Sequence, residues 1–328
     1  MSPRSFVLRL ALAFAVFVAF WVGLFALQMG VVTPFAYHLG LLVGAKREIA
    51  VHQTSPKTVL LGPSNVLYGL HAESLERLTG RPAANFGLIL GFSPDYLARL
   101  VLDTEGVLRP GDTLVLALAY EQYQDAYFRD DTLMEYALAH DPAYFYGLPF
   151  PEQVRWVFGL HERRIKYAAM IRCGIRVKDR HLGVDETLTP WGDLTSNVPA
   201  NQSPQEKASI FARRIPDHAR MLPSDTLVWP VLLRLRDACA ARGVALRIAF
   251  PPYYLPGTPQ EEARLDRFFA ALVDFYDRNG FVRLGTPWEA LLPRDRFFNS
   301  EYHPFYDAAE ERTAVLAAEL LASGPGKR

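Results

Sequence analysis

The sequence predicts an α/β domain with a mainly parallel sheet, carried on an N-terminal membrane-spanning helix. Three observations lead there: an uncharged apolar run opens the chain, short apolar runs alternate with stretches of helical periodicity, and a Gly/Pro turn signal closes several of the short runs.

No charged residue occurs from Leu10 to Val32, and Leu10 to Leu27 is apolar without interruption. As a helix that length crosses a hydrocarbon core of about 30 Å. A cleaved signal peptide has a shorter apolar region and a small-x-small ending, whereas this run continues past Gly30 to Val31 and Val32, so a retained anchor is expected. Arg4 and Arg9 precede the span and the next charges are Lys46 and Arg47, so the positive-inside rule puts the N-terminus in the cytoplasm. In a bacterium this is a single-pass protein of the inner membrane whose remainder faces the periplasm or exterior. The expected division is a tip and anchor over residues 1–33, an amphipathic stalk over 34–55, and a domain over 56–328 with an insertion at about 124–224.

Within the domain, Thr58 to Leu61 reads as a strand ending in Gly-Pro-Ser-Asn, with a helix through Leu70, Leu75 and Leu78. Asn85 to Leu90 is a second apolar run, closed by Gly91, and Tyr96, Leu97, Leu100 and Val101 recur at helical spacing. Thr113 to Ala119 reads as a fully buried strand. Leu227 to Arg242 is helical, Val244 to Phe250 is a strand cut off by Pro251-Pro252, and Glu261 to Asn279 is a helix closed by Gly280. Phe281 to Leu284 is the last strand. Alternation of this kind predicts a parallel sheet covered on both faces. The insertion, rich in Tyr, Phe, Pro and Arg, is expected to be helices and loops that shape or cover the site.

Thirty-five basic residues balance thirty-five acidic ones, so no global field draws the chain to nucleic acid. Cys173 and Cys239 are isolated, and His38, His52, His71, His140, His161, His181 and His218 have no ligand spacing, so neither a metal nor another cofactor is expected. Outside the cytoplasm the two cysteines could form a bridge, but isolated cysteines are as often plain buried residues.

In an open parallel sheet, ligands bind beyond the carboxyl ends of the strands. Ser64 stands there after the first strand, either as a reactive hydroxyl or as a simple helix cap. His303 follows the last strand, before a helix that Asp307 and Glu310 would cap, and from there an imidazole could take the serine proton. Trp191 and Asp193 could meet a sugar, although an aspartate beside glycine is more often a turn residue. The aromatic group Tyr120, Tyr123, Tyr127, Tyr136, Tyr144, Phe145 and Tyr146 could stack on carbohydrate; packing onto the core is the plainer account.

These blocks resemble those of the SGNH (GDSL-like) hydrolase and acyltransferase superfamily over roughly residues 56–323, with the insertion unmatched. Gly62-Pro63-Ser64-Asn65 is similar to the first block, Asn85-Phe86-Gly87 through Gly91-Phe92-Ser93 to the second, and Tyr302-His303-Pro304 to the last. The resemblance implies a three-layer, flavodoxin-like fold, Ser64 as nucleophile with its amide as an oxyanion donor, Gly91 or Gly87 as a second donor, and His303 as base. Asn65, Trp191 and Asp193 are the candidates for substrate contact. Two positions depart from the family pattern. Ser300 stands where an aspartate should orient the histidine, leaving Glu301 or Asn299 for that role; Ala119-Tyr120-Glu121-Gln122 lacks the third-block asparagine, leaving the Gln122 amide as donor. With its anchor, the chain resembles bacterial proteins that acylate exported polysaccharides, which implies a glycan substrate, an acyl-carrying membrane partner and membrane lipid around the anchor. An esterase of the same fold and a silent scaffold or glycan-binding subunit are the alternatives.

Overall fold

The computed structural model of the chain describes residues 2–89, 91–124, 130–159, 162–177, 188–218 and 227–324. Tyr127, His161 and His181, and part of the expected insertion, lie outside the described residues. The chain divides into two compact units, Met1–Leu42 with Arg129–Asp185 and Val43–Phe128 with Glu186–Arg328. The irregular middle is therefore split: its first half groups with the N-terminal segment, and the stretch from Glu186 belongs to the unit with the sheet.

The helices in chain order begin with α1 (Pro3–Ala26), α2 (Pro34–His52), α3 (Ser64–Gly69), α4 (Ala72–Thr79) and α5 (Pro94–Leu102). They continue with α6 (Asp131–His140), α7 (Pro142–Gly147), α8 (Phe150–Phe158), α9 (Glu162–Arg172) and α10 (Pro204–Ala212), then α11 (Val228–Ala241), α12 (Pro259–Arg278) and α13 (Tyr306–Ser323).

In the first unit α1 is long and apolar enough to cross a membrane and buries none of its most apolar window. Phe25 at its end packs on Phe145, 4.6 Å between ring centres. Arg164 is buried, paired with Glu135, and donates to the Gln28 and Val31 carbonyls, each at 3.2 Å. An unpaired guanidinium there would carry the full desolvation cost, so the Glu135 pair is what lets it sit inside. Helix α2 begins in this unit, continues into the second from Val43, and buries Ala36, Leu39, Val43, Lys46 and Ala50.

The second unit is an α/β sandwich around a five-stranded parallel sheet. Its strands are β1 (Thr58–Gly62), β2 (Ala83–Gly87), β3 (Thr113–Leu116), β4 (Ala245–Ile248) and β6 (Val282–Arg283), in the order β2-β1-β3-β4-β6. A separate parallel pair joins β5 (Tyr253–Tyr254) to β7 (Leu291–Leu292). Every residue of β1, β2 and β3 is buried, which is why these runs lack an alternating pattern. Helices α3, α4 and α13 pack together beside β1 and β2, while α5 packs with α11, which meets β4, and α12 meets β6. Leu60, Val115, Leu284, Leu75 and Leu316 form one continuous core cluster; each such side chain contributes about 1.5–3 kcal/mol by leaving water.

Sequence expectations and structure part at three places. The helix expected through Leu70 and Leu78 breaks at Leu70-His71, where the His71 amide donates to Thr313 Oγ1 at 3.0 Å and a new helix starts. Asp307 does not cap α13: the N-cap is Phe305, and the Asp307 carboxylate faces Arg296 at 3.3 Å. The strand expected over Thr113 to Ala119 pairs only to Leu116, although Ala117, Leu118 and Ala119 stay buried.

Candidate active site

The order β2-β1-β3 reverses direction at β1, and crevices form beyond the carboxyl ends of strands at such reversals. Ser64 lies there. Gly62 ends β1 with no room for a side chain, because a Cβ would stand 2.3 Å from the Ala117 carbonyl oxygen. Pro63 turns the chain, and Ser64 becomes the first residue of α3. The N-cap of this six-residue helix is Pro63, with no side-chain cap, so the cap reading of Ser64 is excluded. The Ser64 hydroxyl makes no hydrogen bond among the described residues and is not one of the buried polar atoms left without a partner; it therefore meets solvent.

His303 comes from the far end of the chain and meets α3 at Tyr68. Its loop is pinned by the Phe298 amide donating to the His303 carbonyl at 2.7 Å, and by an antiparallel bridge between Phe297 and Pro304. The imidazole stacks on Tyr68 with ring centres 4.3 Å apart and planes 29° apart. Tyr68 sits four residues after Ser64 in α3, on the same helix face, where such residues stand about 5–6 Å apart. Asn197 ties the two segments together: its side-chain amide donates to the Tyr68 carbonyl at 3.1 Å and to the Pro304 carbonyl at 2.7 Å. No hydrogen bond joins Ser64 to His303. Tyr68 is what relates them: it shares α3 with Ser64 and its ring stacks on His303.

His303 Nδ1 lies 2.7 Å from Asn299 Oδ1. An amide oxygen only accepts, so Nδ1 carries the proton and Nε2 presents its lone pair. Of the two candidates for this role, Asn299 makes the contact; Glu301 is instead paired with Arg213. Desolvation, with Arg213 adding to it, pushes the imidazole pKa down to about 3. A neutral orienting residue holds the tautomer without stabilising the imidazolium as a carboxylate would.

Behind this pair lies a polar layer that the sequence left unread. The Tyr302 hydroxyl accepts from the Tyr120 amide at 2.9 Å and hydrogen-bonds Glu121, whose carboxyl burial pushes up to about 7. Glu121 Oε2, Tyr120 Oη and Tyr254 Oη are buried without hydrogen-bond partners among the described residues. His218 Nε2 meets the Tyr253 hydroxyl at 3.0 Å, and burial pushes its pKa down to about 4.

Several expected site residues are turned to the interior. The Gly87 amide donates to Asn85 Oδ1 at 2.8 Å and is engaged, while the buried Gln122 side chain donates to the Phe92 carbonyl at 2.6 Å. The Ser64 amide opens α3 without a carbonyl partner among the described residues, and Gly91 takes φ +117, open to glycine alone, in the segment that follows β2 beside β1. Asn65 is buried and donates to the Ala117 carbonyl at 2.9 Å. Trp191 Nε1 donates to Glu76 at 3.0 Å as the ring packs on the core. Asp193 is buried, accepts from the Ala72 and Glu73 amides at 2.8 and 3.0 Å and from Asn85 Nδ2 at 2.9 Å, and so caps α4 from a distant loop. Beside it, burial pushes the Lys46 ammonium down to about 7 as it donates to the Gly192 carbonyl. The contacts of Asn65, Trp191 and Asp193 are thus all made within the fold. Cys173 is exposed, Cys239 is buried, and both are free thiols.

A scan against protein-family models finds no match to this chain, and a search of curated proteins finds none either.

Proposed function

We propose that the chain is an extracytoplasmic O-acyltransferase, most simply O-acetyl, that modifies an exported polysaccharide or envelope glycan. Ser64 Oγ attacks the acyl carbonyl of a donor ester while His303 Nε2 takes the hydroxyl proton; the leaving oxygen departs with that proton and the acyl group stays on Ser64. A glycan hydroxyl then attacks the acyl-serine, its proton passes to His303, and Ser64 is regenerated with the ester now on the glycan. The Ser64 and Gly91 amides are the candidate donors to the tetrahedral oxyanion. The single observation that carries this reading is the His303 ring stacked on Tyr68, one helical turn from Ser64 and held in one tautomer by Asn299. The strand order matches that of flavodoxin-like sheets, which is consistent with the SGNH resemblance. The apolar α1 fits a single-pass anchor with the catalytic unit on the periplasmic side, where an acyl-carrying membrane partner would supply the donor.

Turnover of a chromogenic acetyl ester by the full chain in detergent, with and without an acceptor glycan, tests the proposal. The expected result is slow hydrolysis, accelerated release in the presence of acceptor, and loss of both in Ser64→Ala. Fast hydrolysis indifferent to acceptor would make the chain an esterase, and activity surviving in Ser64→Ala would remove the serine from the chemistry.

A further inference from the structure

Helix α8 exposes Phe150, Val154 and Phe158, spaced i, i+4, i+8 along one stripe, and turns Trp156 inward at 1% exposure. Phe150 stands 75% exposed, and Tyr146 in the preceding helix is open as well. Soluble surfaces carry large apolar side chains singly; a stripe of them marks a surface that something covers. The only charges on α8, Glu152 and Arg155, pair with each other.

What covers the stripe follows from its neighbour in the same unit. The Phe158 ring stacks on Phe17 at 6.5 Å and meets Trp21 at 6.2 Å, and both belong to the bilayer-length helix α1. At 1.5 Å per residue, these two contacts lie about 8–14 Å along α1 from its end at Ala26. Whatever medium surrounds α1 there also surrounds Phe158. Helix α9 marks the upper boundary. Arg172 donates to the Leu27 and Met29 carbonyls at 2.8 and 2.9 Å, Arg164 reaches Gln28 and Val31, and Arg163 and Lys166 are exposed, against the one acidic residue Glu162. Bases gathered at the end of an apolar helix suit the phosphates of a lipid headgroup layer.

We propose that α8 is a second membrane element, laid with its Phe150, Val154 and Phe158 stripe among the acyl chains of the leaflet that α1 leaves at Ala26. Its occupant is the phospholipid bilayer, and the inference rests on reading α1 as a span. The anchor is then a helix braced by an interfacial helix, which fixes the first unit at the membrane surface instead of leaving it to swing on one strand of chain.

The test is spin labelling of the full chain in nanodiscs that contain zwitterionic and anionic phospholipid. Single labels are placed in a C173S/C239A background at V16C in α1, F150C and V154C in α8, and K207C in α10 as an aqueous control; all four native side chains are at least partly exposed, so the fold is undisturbed. Collision with oxygen reports lipid and collision with a soluble nickel chelate reports water. Oxygen is expected to dominate at 16, 150 and 154, and nickel at 207. Nickel dominance at 150 and 154 with oxygen dominance at 16 would overturn the proposal and leave the anchor standing. Nickel dominance at all four positions would overturn both.

Discussion

At the scale of single residues, the site depends on how His303 is held. Because its pKa lies near 3, it stays neutral through the whole physiological range, and the acid limb of kcat/KM is expected to fall well below pH 5 rather than near 6.5. Removing the ring in His303→Ala is expected to lower kcat by about 10²–10⁴-fold, the usual contribution of a positioned base. Asn299→Asp places a carboxylate on Nδ1–H and stabilises the imidazolium, so the acid limb should move upward by about 1–3 pH units; a profile that does not move would show that Asn299 does not orient the ring. Glu121 carries the opposite sign. Its folded pKa of about 7 stands above the usual carboxylate value, so the folded state holds a proton that the unfolded state has lost, and stability falls as pH rises from 4.5 through 7. Glu121→Gln removes this penalty and should stabilise the protein at pH 8, relative to wild type, by on the order of 1–3 kcal/mol more than at pH 4, measured by denaturant titration.

At the scale of elements, the turn after β1 and the cap of α4 show what local sequence can and cannot say. Gly62-Pro63-Ser64 was legible because a strand ending in glycine and proline is a local fact, and the backbone approach that requires Gly62 is the one the motif implies. Asn299, four residues from His303, was one of the two candidates the sequence offered for the Nδ1 contact, whereas Tyr68 was not singled out by spacing, because its stack exists only once residues 235 apart have met. The break at His71 was missed for the same reason, since apolar periodicity continues through Leu75 and Leu78 while Thr313 captures the His71 amide. Asp193 was weighed as a sugar ligand and as a turn residue, and its position 121 residues from Ala72 hid its role as a cap. Asp193→Ala should cost about 2–4 kcal/mol, because it leaves two helix amides without their acceptor, takes one acceptor from Asn85 and removes the carboxylate charge beside the buried Lys46. Asp193→Asn should recover part of that and leave KM for any glycan unchanged. His218 adds a pH dependence to the polar layer under the site. Its folded pKa, about 4, lies below 6.5, so the unfolded state binds the extra proton and stability is lost as pH falls from 6.5 toward 4. A flatter stability profile in His218→Gln would check this.

At the scale of the whole molecule, the alternation of apolar runs and helical stretches read out the parallel sheet, and the uncharged first segment read out α1. The grouping of residues 129–185 with the N-terminal segment was not legible. It comes with a buried Arg164 and an exposed Arg172 bonding the carbonyls beyond α1, and arginines in an irregular stretch look like solvated charge in a sequence. The proposed topology has a direct readout at Cys173, an exposed free thiol. A membrane-impermeant maleimide added to intact spheroplasts should label it, and labelling only after lysis would put the second unit's chemistry on the wrong side for an exported glycan. The central claim, however, is covalent. The most direct measurement is peptide mass spectrometry of the full chain quenched during turnover of an acetyl ester. The account predicts one acetyl group on the peptide that contains Ser64, absent from Ser64→Ala and slow to form in His303→Ala. An unmodified Ser64 peptide under conditions where the ester is being consumed would contradict it.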